Sequence, residues 1–235
     1  MGGMARLVSA QPVTEAQWEA MTDPVEGRLE ILDGRLFVNP SPNADHNRSA
    51  ADLAALLRRA IRLEGLDYHV TGDVEWRVLG RDHVSDAPRG DVVVGRRLDP
   101  VKKIHTEVPV LVAEIWSAIT EAAVMRERRV AWARLGVAHY WELQLGDIAE
   151  KTRLLVFDLA TQALPAATVT GNEEIRIDVP FPVAFRPAEI DGWVEGESLR
   201  ADTEARRADR AENENAELKR LLHRFMSRPE DSDGG

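Results

Sequence analysis

The stretch PVLVAEIWSAITEAAVMRERRVAWARLGVAHYW, residues 109–141, decides the fold. It opens on an apolar run over 109–113 that ends directly on a carboxylate, Glu114. A helical pattern covers 117–135, Gly136 is placed to cap it, and an aromatic strand begins at His139-Tyr140-Trp141. An unpaired buried carboxylate costs several kcal/mol or takes up a proton, so a glutamate closing an apolar strand is rarely there for packing. The pattern recurs 23 residues upstream, where Arg89-Gly90-Asp91-Val-Val-Val-Gly95 starts a second buried strand on an aspartate. Two strands that each present one carboxylate form the usual holder of a hard divalent cation.

Working outward, the remaining elements order themselves around that pair. Thr14 as N-cap with Gln17 three residues later predicts a helix over 13–22. Asp33-Gly34 between two β-prone runs predicts a hairpin over 28–38, ended by Pro40-Ser41-Pro42. A helix is expected from Asp45 to Glu64, with Leu53, Leu56, Leu57, Ala60 and Ile61 as its apolar stripe. Short strands are expected at 68–71 and 74–78, at 139–143 and 153–157, and a further one at 173–179; residues 181–187 read as an extended closing segment. Strands flanked by helices on a mixed sheet make the class α/β or α+β.

Composition narrows the function classes. The chain has 235 residues, 44% hydrophobic and 30% charged, enough for one domain with an appendage. It has no cysteine, which removes disulfides, thiolate zinc sites and cysteine nucleophiles. No apolar run approaches the ~20 residues that span a bilayer, and the N-terminus lacks a hydrophobic signal core, so the expectation is a cytoplasmic protein without membrane contact. No phosphate-cradling loop of the G-x-x-x-x-G-K-[ST] type, no G-x-G-x-x-G and no G-x-S-x-G elbow is present. A formal charge of −10 argues against a general phosphate-backbone binder, although basic residues gather at Arg58, Arg59 and Arg62, at Arg96, Arg97, Lys102 and Lys103, and at Arg126, Arg128 and Arg129.

Composition shifts again near Leu199, where Ala, Arg, Glu and Asn take over. Ala201, Ala208, Asn215 and Leu222 recur every seven residues, with Ala211, Leu218 and Phe225 three residues after the last three. That is an a/d seam of about three heptads, open to two readings: a homodimeric coiled coil or a single amphipathic helix on its own core. The expected organisation is a domain over 12–192, a helical tail over 199–228 and a disordered end over 229–235.

Taken in order, these residues resemble the Uma-type restriction endonuclease family, a branch of the PD-(D/E)xK nucleases. The resemblance runs from Thr14 to Ile190. Its carriers are Leu29-Glu-Ile-Leu-Asp-Gly34, the segment from Ser41-Pro42 to His46, Asp91-Val-Val-Val94, Pro109 to Glu114, Gly136-Val-Ala-His-Tyr-Trp141 and Val179-Pro-Phe-Pro-Val183. It implies a restriction-endonuclease-like core, a divalent cofactor (Mg2+ or Mn2+), and hydrolysis of phosphodiester bonds in nucleic acid, DNA first among them. Carried onto this chain, Asp91 and Glu114 become the metal ligands, Glu30 a supporting carboxylate, and His46 the histidine at the start of the first helix.

The departures are specific. Gly90 stands where the family has proline, Ser117-Ala-Ile-Thr120 lacks its turn proline, and Val124 replaces an aspartate. Trp132 replaces tyrosine, and Arg128 replaces the lysine. Arg128 shares a helical face with Val124, Ala131, Trp132 and Leu135, so it should point inward and require an acidic partner, Glu114 or Asp91. Arginine keeps the charge of lysine and binds phosphate through a fork, but with a pKa above about 12 it cannot serve as a base. The residues therefore leave open an active nuclease, a nuclease fold that no longer cleaves, and a self-associating scaffold.

Overall fold

The Leu111–Trp116 strand lies inside a six-stranded sheet. From one edge the order is Ala167–Thr170, Arg153–Asp158, His139–Gln144, Leu111–Trp116, Val92–Gly95 and His69–Thr71. Within this sheet the Leu111–Trp116 and His139–Gln144 pair is parallel and the other neighbours antiparallel, as a helical crossover between that pair requires. The structure, a computed structural model, describes residues 6–24, 27–96, 104–105, 107–116, 122–161 and 164–190. By internal contacts the chain divides into Met1–Trp193 and Val194–Gly235. The second unit, and with it the expected coiled-coil tail over 199–228, lies outside the described residues.

Side chains alternate across a strand, and here the two faces have different tasks. Leu111, Ala113 and Ile115 join Val92, Val94, Trp141, Leu143 and Leu154 against Leu53, Leu57 and Ile61 of the Ala44–Leu63 helix, with Phe181 and Phe185 closing the layer. The opposite face carries Val93, Val112, Tyr140 and Phe157 under Trp132 of the Ala122–Arg134 helix and Trp76. Covering on both faces explains why the inner strands read as continuous apolar runs rather than alternating ones. Glu114 and Glu142 are exceptions, buried to 0% and 1% exposure on the second face.

A separate three-stranded sheet holds the hairpin of Gly27–Leu32 and Arg35–Pro40, with Arg6–Ser9 added at its edge. Asp33 (φ 53°) and Gly34 (φ 71°) take the two left-handed positions of its turn, the conformation that the Asp-Gly pair predicts. Leu32 and Phe37 pack on Ala131, which docks this hairpin on the helix that carries Arg128. The Glu15–Ala20 helix begins with the expected capping box between Thr14 and Gln17.

Two expected strands go elsewhere. The 74–78 run splits into Val74–Trp76 and Val78–Leu79, which join two small sheets outside the six-stranded one. Ile175–Ile177 does not extend the main sheet but pairs with Val183–Phe185. Their inward residues Ile175, Ile177, Val183 and Phe185 cap the first face of the core instead of prolonging its edge.

Candidate functional site

Five segments deliver the five candidate residues to one place. The backbone of Arg89–Gly90 pairs with Val74–Trp76 and that of Val92–Gly95 with the main sheet, so Asp91 sits where the chain changes sheets. Glu114 comes from the neighbouring strand, Glu30 from the hairpin, Arg128 from the Ala122–Arg134 helix. His46 lies in the first turn of the long helix, whose N-cap Asn43 accepts the His46 N–H through its side chain at 2.8 Å.

Arg128 is the hub. Its Nη1 donates to Glu114 Oε2 at 2.7 Å, its Nε to Glu30 Oε2 at 3.1 Å, and its Nη2 to Glu30 Oε1. The fork thus grips Glu30 with two nitrogens and Glu114 with the third. Trp132 Nε1 donates to the other Glu114 oxygen at 2.9 Å, and Asn39 Nδ2 to Glu30 Oε2. Asp91 stands beside this triad in a second arrangement. Its Oδ2 accepts the Ile115 N–H at 2.8 Å and lies 3.1 Å from His46 Nε2, while His46 Nδ1 is buried without a partner. The inward arginine expected from helical spacing is therefore present, partnered by Glu114 and Glu30 rather than by Asp91.

The electrostatics follow from three carboxylates sharing one guanidinium away from water. Burial pushes the Glu114 carboxyl well above its ordinary range; Arg128 opposes this, while Asp91 and Glu30 add to it. Glu30 is raised for the same first reason, again against Arg128. Asp91 goes the other way. Burial would raise it, but the hydrogen bond and charge of His46, the charge of Arg128 and the Ile115 N–H hold it below the ordinary range. Burial alone would lower Arg128; the carboxylates of Glu114, Glu30 and Asp91 raise it instead, so it remains a fixed cation.

That arrangement does not fit a divalent cation as it stands. Both oxygens of Glu30 and of Glu114 accept hydrogen bonds, and the guanidinium occupies the space between the two carboxylates. Among the described residues no group of three or more His, Asp or Glu side chains is disposed to hold a metal ion. The oxygen donors are of the hard type that magnesium prefers, but an octahedral ion at about 2.0–2.1 Å needs free lone pairs on them.

Two of the departures are one packing solution. A Cβ on Gly90 would come within 2.5 Å of Val93 Cγ2 and 3.3 Å of Trp132 Cζ2. The glycine leaves room for the wide indole, which in turn reaches Glu114 and meets Trp76 edge-on at 5.9 Å. Nor do Arg126, Arg128 and Arg129 form one basic patch, since consecutive arginines turn inward. Arg129 Nε lies 3.2 Å from Glu142 Oε1 and its guanidinium stacks 4.1 Å from the Phe157 ring.

Sequence reasoning passed over Asn39, the indole N–H of Trp132 and, above all, Glu142. Glu142 is 1% exposed, stands in register with Glu114 on the adjacent parallel strand, and is raised to about 7 by burial against the pull of Arg129. The signal was available: His139-Tyr-Trp-Glu142-Leu is another apolar strand interrupted by a glutamate, the same pattern that singles out Glu114.

Comparison with known proteins places the fold and the family. The solved structure of a putative nuclease belonging to DUF820, from Anabaena variabilis ATCC 29413, superposes with a TM-score of 0.60 at 13% identity, covering 77% of this chain and 99% of that one. The likeness identifies the fold as α+β, a restriction-endonuclease-like mixed sheet flanked by helices. No curated protein matches the chain. The family model Uma2, described as "Putative restriction endonuclease", matches residues 16–189 and so spans the six-stranded sheet, the hairpin and the helices that carry His46 and Arg128. On that coverage, the chain belongs to the Uma2 restriction-endonuclease family.

Proposed function

We propose that the chain is a nuclease-family protein directed at nucleic acid, in which Arg128 occupies the charge position of a divalent cation and phosphodiester cleavage is consequently lost or held near background. The observation that carries this is the single guanidinium bonded to both Glu30 and Glu114. It offsets part of the charge of the acidic centre internally, and a cation would have to displace a buried ion pair to enter. Arginine also cannot relay a proton, and removing a general base typically costs about 10²–10⁴-fold in rate. His46 is the remaining candidate base, its Nε2 held by Asp91 and its Nδ1 unpartnered.

The test is cleavage of single- and double-stranded DNA with Mg2+ or Mn2+, together with anisotropy measurements of DNA binding over a salt series. Wild type is expected to bind with an affinity that falls with salt and to cut at background. Arg128→Lys is expected to raise cleavage, and adding Glu114→Ala to abolish the gain. Robust metal-dependent cutting by wild type that Glu114→Ala removes would overturn the proposal; absence of salt-dependent DNA binding would remove its nucleic-acid half. A second reading, a working Mg2+- or Mn2+-dependent nuclease with Asp91 and Glu114 as ligands, is supported by one observation: Asp91 is held in its ionised form beside two further carboxylates.

A further inference from the structure

Two of the basic groups marked in the sequence come together on one flank of the fold, along the Ala44–Leu63 helix and the His69–Thr71 strand at the edge of the main sheet. Arg58 and Arg62 are one helical turn apart and share a helix face. Arg58 Nη2 donates to Val70 O of the edge strand at 3.2 Å. Arg96 follows the Val92–Gly95 strand that pairs with this edge, and its guanidinium lies 5.6 Å from the centroid of the Tyr68 ring. That ring packs on Phe181 at 6.0 Å, so the platform under Arg96 is anchored to the core. All three arginines are exposed.

These arginines stand out by the lack of a carboxylate partner. The chain carries 40 acidic against 30 basic side chains, and Arg28, Arg35, Arg77, Arg89, Arg129 and Arg134 each lie against an Asp or Glu. Among the described residues Arg58, Arg62 and Arg96 have none. The acidic residues of the helix stand elsewhere: at about 100° per residue, Asp45, Asp52 and Glu64 lie roughly 120–140° round its axis from Arg58. Asp67, at the outer end of the flank, is 3.9 Å from His69. Towards the N-terminus of the helix the same flank carries exposed Ala51 and Ala55, which leave it open.

The flank leads to the Arg128 centre. Asp91 precedes the Val92–Gly95 strand and Arg96 follows it, so the two are separated by about 16 Å of extended chain. At the near end of the same helix, His46 meets Asp91 at 3.1 Å. With phosphates about 3.4 Å apart along the axis of a duplex strand, the interval corresponds to about five nucleotides.

We propose that this flank is the track along which the phosphodiester backbone of a nucleic acid approaches the Arg128 centre, with Arg58, Arg62 and Arg96 as its phosphate contacts. This rests on the nucleic-acid reading above and adds to it the surface that engages the strand. A guanidinium presents a planar fork to phosphate oxygens, and stacking on Tyr68 holds that of Arg96 in place. On a chain of net charge −10, an uncompensated basic strip draws a polyanion to that side and away from the rest. Contacts of this kind reach the backbone and not the base edges, so they position a strand without selecting its sequence. A strip that ends at Asp91 suits a linear polyanion better than an anionic membrane surface.

The experiment is fluorescence anisotropy of the full chain with a labelled DNA of about 20 nucleotides, single- and double-stranded, from about 50 to 200 mM salt. Arg58→Gln combined with Arg62→Gln should weaken binding about tenfold at the lowest salt. It should also flatten the slope of log affinity against log salt by about 1.4–1.8, from about 0.7–0.9 per lost phosphate contact. Arg96→Gln should flatten it by about half as much. The control, Lys151→Gln with Arg153→Gln, removes the same charge near the opposite edge of the sheet and should leave affinity within about twofold. Wild-type binding that the Arg58, Arg62 variant retains, or that the control loses equally, overturns the proposal and leaves the nucleic-acid reading standing. Wild type without salt-dependent DNA binding overturns both, and if it binds phosphatidylserine vesicles instead, the flank belongs to a membrane surface. Circular dichroism melts check that the variants fold. If the double variant does not, Arg96→Gln decides, and an unchanged slope overturns the proposal.

Discussion

Replacing Arg128 by methionine keeps an unbranched apolar stem but not its guanidinium, and so removes the cation that Glu30 and Glu114 share. Both carboxylates are at most 1% exposed, so water does not take over the lost bonds. Each can remain charged or take a proton, and protonation sets a ceiling on the cost. With an ordinary value of 4.5, neutralising either glutamate at pH 7 costs about 3.4 kcal/mol, from 2.5 pH units at 1.36 kcal/mol each. Losing one partner of a buried ion pair generally costs about 3–5 kcal/mol. The expected destabilisation of Arg128→Met at pH 7 lies in that range, because Asn39 and Trp132 still donate to one glutamate each.

The pH dependence separates this cause from a packing defect. Without Arg128 the folded-state values of Glu30 and Glu114 rise further above their unfolded ones. Groups shifted in that direction stabilise the fold below the unfolded value, and the contribution is lost as pH rises through the folded one. Urea unfolding of the variant should therefore show a deficit that shrinks towards pH 5, where the protonation ceiling falls to about 0.7 kcal/mol per group. The triple variant Arg128→Met, Glu30→Gln, Glu114→Gln should recover most of the loss at pH 7, as neutral replacements of buried ionic clusters generally do. A deficit under about 1 kcal/mol, or one of equal size at pH 5 and pH 7, would refute the reasoning.

Three further outcomes are expected. Glu142, raised to about 7, contributes stability that is present below about 4.5 and lost as pH rises through about 7; from pH 4.5 to pH 8 the stability difference should move in favour of Glu142→Gln by up to about 3 kcal/mol in urea melts. Gly90→Ala should cost about 1–3 kcal/mol by the same assay, because its Cβ meets Val93 at 2.5 Å in a packed layer. Thr14→Ala should cost about 1 kcal/mol through loss of the capping box, and hydrogen exchange should report the change in the Glu15–Ala20 helix before the main sheet.

How far the sequence reveals the centre depends on whether a residue is marked by its own strand or only by its neighbours in space. Asp91 and Glu114 are marked locally: an ionisable group at the end of an apolar run needs a partner, and the run itself places it on the sheet. Arg128 is marked by helical spacing, which gives its direction but not its target. Three carboxylates lie nearby, and only the docking of Leu32 and Phe37 on Ala131 brings Glu30 close enough to take two of its bonds. The crowding at Gly90 is invisible to either rule, since the residue is not unusual until Val93 is seen 2.5 Å, and Val112 and the Trp132 indole 3.3 Å, from where its Cβ would go. The strands that went elsewhere fail for a related reason: alternation in Ile175–Ile177 is equally good evidence for an edge of the main sheet and for a separate ribbon on its face, and only the core it covers decides. Period and local chemistry thus locate charges on elements, whereas the pairing of charges is a property of packing. The choice between a metal centre and one filled by a guanidinium is a question of pairing, which is why Asp91, Glu114 and the inward turn of Arg128 can be read from the sequence and the partners of Arg128 cannot.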